Sequence, residues 1–156
     1  RAKVQEDFNE PDFYIQGSKI QVYDEQGLVS RVLFADEMTH YPGPDLTELQ
    51  QPRMSIYSQG QQQWLIQARE GVLKNNQDEL VLSGDVILQP LEDNSMSFDL
   101  TTDALTLYPE RQEAHTKEHV DIKGPGMTMQ AVGMDAYFEQ QQIQFLSNVR
   151  GRHEPN

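Results

Sequence analysis

The stretch AREGVLKNNQDELVLSGDVIL (residues 68–88) decides the fold class. Its apolar residues recur at a spacing of two, first Leu80 and Leu82, then Val86 and Leu88. That spacing places side chains on one face of a β-strand. The polar runs NNQD (75–78) and SGD (83–85) are typical of turns. The stretch therefore predicts a hairpin, a short break and a further strand.

The same unit recurs along the chain. Copies begin at Ala104 and Ala136, and a degenerate first copy runs from Ala35 to about Met54. Each complete copy predicts a hairpin followed by a strand that begins near a valine. Such units cannot bury their apolar faces alone, so they must stack on their neighbours. Stacking predicts an all-β fold of two facing antiparallel sheets, with one apolar face of each turned inward.

Alternation marks the rest of the chain as well and predicts further strands. The stripes are Ile20 and Val22; Leu28, Val32 and Phe34; Trp64, Ile66 and Ala68; Phe98 and Leu100; Val120 and Ile122; Met127, Met129 and Ala131; and Ile143 and Phe145. Turn sequences separate them at DEQG (24–27), EDN (92–94) and GPG (124–126). The best helical candidate, residues 45–51, is confined to about one turn by the prolines on either side.

Length and composition limit what the protein does. The chain has 156 residues, of which 37% are hydrophobic, and this suits one domain with a thin core. We predict a flexible lead-in over residues 1–12, a single domain over 13–151 and a tail over 152–156. The net charge of −13 argues against nucleic acid as a partner, because phosphate backbones are bound by Lys and Arg.

The sequence offers no residues for catalysis. It has no cysteine, which excludes disulfides, thiol catalysis and Cys-type zinc sites. His115 and His119 are four apart, but no local motif places a third ligand beside them, so we interpret them as solvated turn histidines. His40 and His153 are interpreted as exposed loop residues. We predict that the protein is not an enzyme and binds no metal or cofactor.

The inward stripes mix large and small apolar side chains with several methionines. Met54, Met127, Met129 and Met134 lie in or beside them, and methionine suits a surface that accommodates variable apolar partners. On pattern alone, the interior is either a packed β-sandwich core or a groove for lipid chains, because periodicity does not show whether the sheets are splayed. Around an anionic lipid, an acidic protein would hold the acyl chains and leave the head group in solvent.

Three segments carry a resemblance to a known family. They are DFYIQGSKIQVYDEQGLVSRVLFADEMTHYP (12–42), WLIQAREGVLKNNQDELVLSGDVIL (64–88) and FDLTTDALTLYPERQEAHTKEHVDIKGPGMTMQAVGMDAYFEQQQIQFLSNVRG (98–151). Together they resemble LptC, the inner-membrane family of the lipopolysaccharide export bridge. The phrase LTTDALTLYPERQEAHT followed by V-x-I-x-G is the most specific part. The hairpin repeat alone is shared with the other β-jellyroll proteins of that bridge.

The resemblance implies a fold, a location and a function. The fold would be an open, twisted, V-shaped β-jellyroll. One transmembrane helix ahead of Arg1 would anchor it at the periplasmic face of the inner membrane. The protein would accept lipopolysaccharide from an inner-membrane ATP-driven (ABC) permease and pass it to a soluble periplasmic bridge protein of the same fold. It would not itself be an enzyme.

Two kinds of site follow from this resemblance. We expect the acyl chains to lie against one set of inward residues: Ile20, Val32, Phe34, Trp64, Ile66, Leu82, Phe98, Leu100, Met129 and Phe145. An unclosed jellyroll also leaves an unpaired strand edge at each end. We expect strand addition of the permease at the N-terminal edge and of the bridge protein at the C-terminal edge. The edge residues are Ile15, Gln16 and Ser18, and Ile143, Phe145 and Val149; a homodimer through the sheet edges is a further option.

Two other classes of function stay open at this point. A scaffold module would use the same sheets only to join partners, and lipid would not change its stability, whereas lipid would stabilise a carrier. A carbohydrate-binding jellyroll would need aromatic residues and paired carboxylates on one exposed concave face. Trp64 lies within an apolar stripe, which argues against the carbohydrate function.

Overall fold

The computed structural model describes residues 10–74, 78–91 and 97–153, and these residues form eleven β-strands and no helix. The strands are β1 Phe13–Tyr23, β2 Val29–Tyr41, β3 Leu46–Gln50, β4 Arg53–Ser58, β5 Gln61–Gln67, β6 Glu70–Lys74, β7 Glu79–Pro90, β8 Asp99–Tyr108, β9 Glu113–Gly124, β10 Met127–Tyr137 and β11 Gln142–His153. The all-β prediction is confirmed. The predicted lead-in falls mostly outside the described residues, as do most of the NNQD turn and the whole EDN turn.

The predicted helical turn at residues 45–51 was wrong. β3 occupies that place, and its Thr47 and Leu49 are buried while Glu48 and Gln50 are exposed. Alternation of this kind stabilises a strand whenever a neighbour covers the buried face. The segment was too short for the sequence to distinguish one helical turn from a five-residue strand.

Strands that are neighbours in the sequence are also neighbours in the sheet if two kinked strands are each counted as one. β3 pairs with β6 while β4 pairs with β5, so β3–β4 and β5–β6 are two kinked strands, each in two halves. β2 runs along both halves of the first, and β7 along both halves of the second. The described residues therefore form an antiparallel meander of nine long strands with β1 and β11 as its free edges.

The long strands bend near their middles, and the bends line up as one crease. Register shifts interrupt the β7–β8, β8–β9 and β9–β10 ladders at this level. Where the kinked strands meet, the Gln51 amide donates to the Arg69 carbonyl (2.8 Å) and the Arg69 amide donates to the Gly84 carbonyl (2.9 Å). The crease folds the sheet into two facing layers. We call the layer with β4 and β5 half-sheet A, and the layer with β3 and β6 half-sheet B.

The SGD sequence at residues 83–85 belongs to this crease, so predicting a turn there was wrong. β7 continues through it from Glu79 to Pro90. Gly84 (φ 82°) and Asp85 (φ 48°) form a left-handed bulge inside the strand. Such a backbone serves a bulge as well as a turn, and the sequence cannot separate the two.

The half-sheets enclose one apolar core, which confirms the facing-sheet architecture. Most predicted stripes supply it, and its fully buried members include Leu49, Ile66, Leu80, Leu88, Leu100, Val120 and Ala136. Met54 and Met134 are also buried in it, while Met127 and Met129 pack against it from the side. The hairpins of the repeats are confirmed as β2–β3, β6–β7, β8–β9 and β10–β11, and their described ends lie along the outer rim of half-sheet B. The break predicted after each complete hairpin was wrong, because β7, β9 and β11 continue through it as bulged strands.

The predicted inward face of β2 was wrong. Leu33 and Ala35 belong to the core, so Val32 and Phe34 lie on the outer face of half-sheet A, where Val32 is nevertheless buried (4% exposed). Phe34 is 37% exposed there, and Lys19 Nζ lies 5.9 Å from the centre of its ring. These four residues form the unbroken apolar run VLFA, in which alternation does not tell which pair points inward.

Gly133 provides a test of the crease. Its φ is +84°, and a Cβ added to it would lie 2.9 Å from Cδ1 of Leu146 on β11. We expect Gly133→Ala to lower the free energy of unfolding by about 2–4 kcal/mol, because left-handed strain and overpacking each cost about 1–3 kcal/mol. Chemical denaturation of the two proteins measures the difference.

Gly27→Ala is the matched control for that measurement. Gly27 has the same φ of +84°, but an added Cβ would meet no atom within 4 Å. Its substitution is expected to cost only the backbone strain, about 1 kcal/mol. Adding Leu146→Ala to Gly133→Ala should recover part of the larger loss. Equal losses at the two glycines would contradict the close approach of Leu146.

Candidate functional site

The apolar interior reaches the free edge of the sheet at β1. Ile20 pairs with Leu33 and Ile15 pairs with Met38, so both isoleucines share the inner face with core residues. They are nevertheless 41% and 46% exposed. The exposure arises because, among the described strands, β1 has a neighbour on one side only. The interior is therefore open at this end.

The interior also reaches the opposite edge. Ile143 and Phe145 of β11 pair with Ala136 and Met134 and pack, half-buried, against the core. Beside them in half-sheet A, three further apolar side chains are only partly buried: Phe98, Met127 and Met129. An apolar inner surface thus runs from β1 to β11 across the fold.

Eight of the ten residues predicted to face acyl chains lie on this inner surface. Four are buried in its middle: Trp64, Ile66, Leu82 and Leu100. Four lie nearer its ends: Ile20 on β1, Phe98 just before β8, Met129 on β10 and Phe145 on β11. The exceptions are Val32 and Phe34, which lie on the outer face of β2.

The middle of the interior is closed by a residue that the sequence did not single out. Phe138, at the tip of the β10–β11 turn in half-sheet B, is 4% exposed. Its ring centre lies 5.3 Å from that of Trp64 in half-sheet A. Beside it, Gln141 Nε2 donates to Gln63 Oε1 across the same gap (3.2 Å). The only sequence signal was an aromatic residue inside an otherwise polar turn.

Below Phe138 the two half-sheets are in close contact. The space there is about 10 Å³, and its lining combines the apolar Met54, Ile56 and Leu107 with polar residues that include Arg31 and Glu113. A cavity of this size holds no more than one water. An acyl chain does not fit beneath Phe138 while that side chain stays in place.

The residues predicted for the partner edges lie on the two free strands. Ile15, Gln16 and Ser18 lie on β1, where Gly17 (φ 66°) bends the strand between the last two. On β11, Ile143 and Phe145 are half-buried, and Val149 is 53% exposed beside the left-handed Asn148. An edge strand leaves backbone donors and acceptors available for another strand. That partners bind at these edges stays a prediction.

His40 lies in β2, so its predicted position in an exposed loop was wrong. Its Nδ1 lies 2.7 Å from Asp12 Oδ1, and its Nε2 lies 2.9 Å from Asp45 Oδ1. The Phe13 ring stacks on it with the centres 4.9 Å apart. Hydrogen bonds to Asp45 and Asp12 raise the pKa of His40 above 6.5. The ring ties the start of β1 to the β2–β3 turn.

His115 and His119 lie within β9 rather than in a turn, which corrects the sequence interpretation. His115 Nδ1 lies 2.7 Å from Asp135 Oδ1, and its Nε2 lies 3.0 Å from Glu113 Oε1. Burial lowers the pKa of His115, but the hydrogen bonds to these two carboxylates outweigh it and raise the pKa. Within the described ranges, no group of three or more His, Cys, Asp or Glu side chains is arranged to hold a metal ion.

The contacts of His40 predict a pH dependence. A pKa raised on folding contributes stability that is fully present below the unfolded value of 6.5 and is lost as the pH rises through the folded value. We therefore expect the free energy of unfolding to fall as the pH rises above 6.5 and through the higher pKa of folded His40, and to fall less in His40→Gln. Urea denaturation across this range is the measurement. Equal slopes in the two proteins would refute the role of His40.

The described part of the chain contains no helix long and apolar enough to cross a membrane. Residues 1–154 match the family described as "Lipopolysaccharide-assembly, LptC-related". Among solved structures, the fold is similar to LptH from Pseudomonas aeruginosa, the LptA-homologous periplasmic component of a lipopolysaccharide transport device. The TM-score is 0.52 at 8% identity, over 96% of this chain and 99% of that one. A comparison with curated proteins found no match.

Proposed function

This chain belongs to the LptC-related family of lipopolysaccharide-assembly proteins, and on that basis we propose that its interior carries the acyl chains of lipopolysaccharide between two partners. It has a non-enzymatic role in the lipopolysaccharide transport bridge. The family is associated with the periplasm and the inner membrane. In the proposal, an inner-membrane ABC permease supplies the lipid and a soluble periplasmic bridge protein receives it. A single transmembrane helix anchors the native protein.

One observation carries the proposal: the apolar inner surface reaches, at both ends, a sheet edge that no other described strand pairs with. Ile15 and Ile20 are exposed on the inner face at β1, and Ile143 and Phe145 are half-buried at β11. A strand added at either edge would extend both half-sheets and continue the inner surface into the partner. Lipid chains would then pass along the groove without entering water. Burial of each methylene group in the groove contributes about 0.8 kcal/mol of favourable free energy.

The charge of the protein favours binding through the acyl chains. With a net charge of −13, the protein repels the phosphate groups of an anionic lipid. The eight inner residues proposed for the acyl chains carry no charge: Ile20, Trp64, Ile66, Leu82, Phe98, Leu100, Met129 and Phe145. The head group would stay outside, in solvent.

Photo-crosslinking from neighbouring residues on opposite faces tests the proposal. Ile20 lies on the inner face of β1, and Lys19, next to it, lies on the outer face. A photoreactive residue at position 20 is expected to capture lipopolysaccharide, and one at position 19 is expected not to. Met129 and Thr128 form the matched pair near the other edge. Equal capture on both faces would show that the interior is not the route.

A scaffold module is the second candidate, because the middle of the interior is tightly packed beneath Phe138. Such a module would join the permease and the bridge protein, or two copies of this chain, through β1 and β11 without taking up lipid. Lipopolysaccharide would then leave its melting temperature unchanged, whereas it would stabilise a carrier.

A further inference from the structure

We propose that the β8–β9 and β10–β11 turns form a movable lip over the interior, and that Phe138 occupies the place that one fatty acyl chain takes in the loaded protein. We define the lip as residues 109–112 and 138–141. The inference rests on the proposed function and deepens it, since it assigns a ligand to the closed middle of the groove.

The two turns form one unit. The Phe138 amide donates to the Gln112 carbonyl (2.9 Å), which joins the tips directly. The turns also share a backbone shape, since each ends on a left-handed glutamine, Gln112 (φ 56°) and Gln141 (φ 54°). Their sequences YPERQE (108–113) and YFEQQQ (137–142) correspond position by position. A displacement of one tip therefore moves the other.

The lip is held to half-sheet A by side chains. The contacts are the Phe138–Trp64 ring pair and the Gln141–Gln63 hydrogen bond. None of the backbone hydrogen bonds described for the turns and loops crosses from the lip to half-sheet A. An aromatic pair and one exposed hydrogen bond are weak beside a strand ladder. The lip can therefore lift while both half-sheets keep their pairing.

Several neighbours of Phe138 are apolar, as an alkyl chain requires, while the charged Arg31 and Glu113 border one part of the small space beneath it. Its ring packs on Trp64, and the small space beneath it is bordered by Met54, Ile56 and Leu107. These side chains would contact methylene groups as readily as a phenyl ring, because dispersion and burial of apolar area are not directional. Only about 10 Å³ of space remains beneath the ring, so an acyl chain there replaces Phe138 rather than joining it. A wider space of about 200 Å³ also adjoins the ring and is lined by residues that include Trp64 and Gln141.

A reversible lock tests the lip. The chain has no cysteine, so a pair introduced by Gln63→Cys and Gln141→Cys can be joined selectively with a bifunctional methanethiosulfonate reagent. The joined protein is expected to lose capture of lipopolysaccharide by a photoreactive residue at position 56, beneath the lip. Reduction should restore capture. Undiminished capture in the joined protein would overturn the inference.

Gln89→Cys with Asp99→Cys is the matched control. These side chains also share a hydrogen bond (2.8 Å), but they lie on adjacent strands. Joining them should leave capture unchanged. If the protein without cysteines captures no lipopolysaccharide at positions 20 or 56, the proposed function fails and the lip fails with it. Capture of lipopolysaccharide at position 20 but not at position 56 would overturn the proposal of a movable lip and leave the proposed function standing.

Phe138→Ala gives a second readout. Without lipid, the lost packing should lower the melting temperature by roughly 10 °C. With lipopolysaccharide bound, the deficit should shrink, because the acyl chain fills the space that the ring no longer occupies. An equal deficit with and without lipopolysaccharide would make Phe138 an ordinary core residue and overturn its assignment.

Discussion

Ile66→Asp is expected to leave the protein unfolded at room temperature. Ile66 has no exposed surface and lies between Met54 and Leu88 in the ladder, with no partner for a carboxylate. An unpaired buried charge costs several kcal/mol, and the lost apolar packing costs about 2–5 kcal/mol more. The sum is comparable to the whole stability of a domain, about 5–15 kcal/mol. Far-ultraviolet circular dichroism would record the loss of strand.

Leu65→Asp is the matched control for this substitution. Leu65 is the next residue along β5, but its ladder partners Ser55 and Gln89 are polar and it is only half-buried. We expect a folded protein that has lost about 1 kcal/mol. Similar losses at positions 65 and 66 would mean that the inner face of β5 has been assigned incorrectly.

Ser18→Pro is expected to abolish permease binding while the melting temperature stays close to that of the native protein. Ser18 lies on β1, which pairs only with β2 among the described strands. A proline removes one backbone donor and fixes φ, which an edge strand tolerates for folding but not for pairing with a partner. Binding to the bridge protein should persist, because β11 is unchanged. Pull-down with each partner and thermal melting provide the measurements.

Two further prolines make this result interpretable. Gln16→Pro tests the half of β1 that lies beyond the bend at Gly17, so the pair of variants probes the edge in both half-sheets. Thr106→Pro is the positive control for disruption, because β8 pairs on both sides and the variant should unfold. If Gln16→Pro and Ser18→Pro both fold and bind the permease normally, β1 is not the dock.

The sequence predicted the fold well where polar residues interrupt the apolar ones. Where a polar residue separates two apolar ones, the alternation allows only one assignment of the inner face. This holds for Val120 and Ile122, and both are buried. The run VLFA leaves two choices, and there the prediction failed for Phe34. At β7 the left-handed Gly84 ended the predicted strand, although it only bends the real one. Local patterns report local geometry, and they do not show whether a strand continues beyond a bulge.

The candidate site was predicted in part, for a related reason. Inner residues such as Ile66 and Leu100 follow from period-two alternation along single strands. Phe138 does not, because its burial depends on a turn in one half-sheet meeting Trp64 in the other, far away along the chain. His40 was missed for the same reason, since its partners Asp12 and Asp45 come from separate segments. Contacts that cross the gap between layers leave no periodic signal.

The meander of nine strands has a consequence for folding. Within the described residues, each long strand pairs only with its neighbours in sequence, so every step of assembly closes a short loop, which favours rapid folding for an all-β protein. The domain resembles a one-dimensional array of hairpins, in which interior units are secured on both sides and the terminal strands on one. We expect unfolding to begin at β1 and β11. A partner that docked at either end would cap the array, so binding to it would also complete the cooperative folding unit.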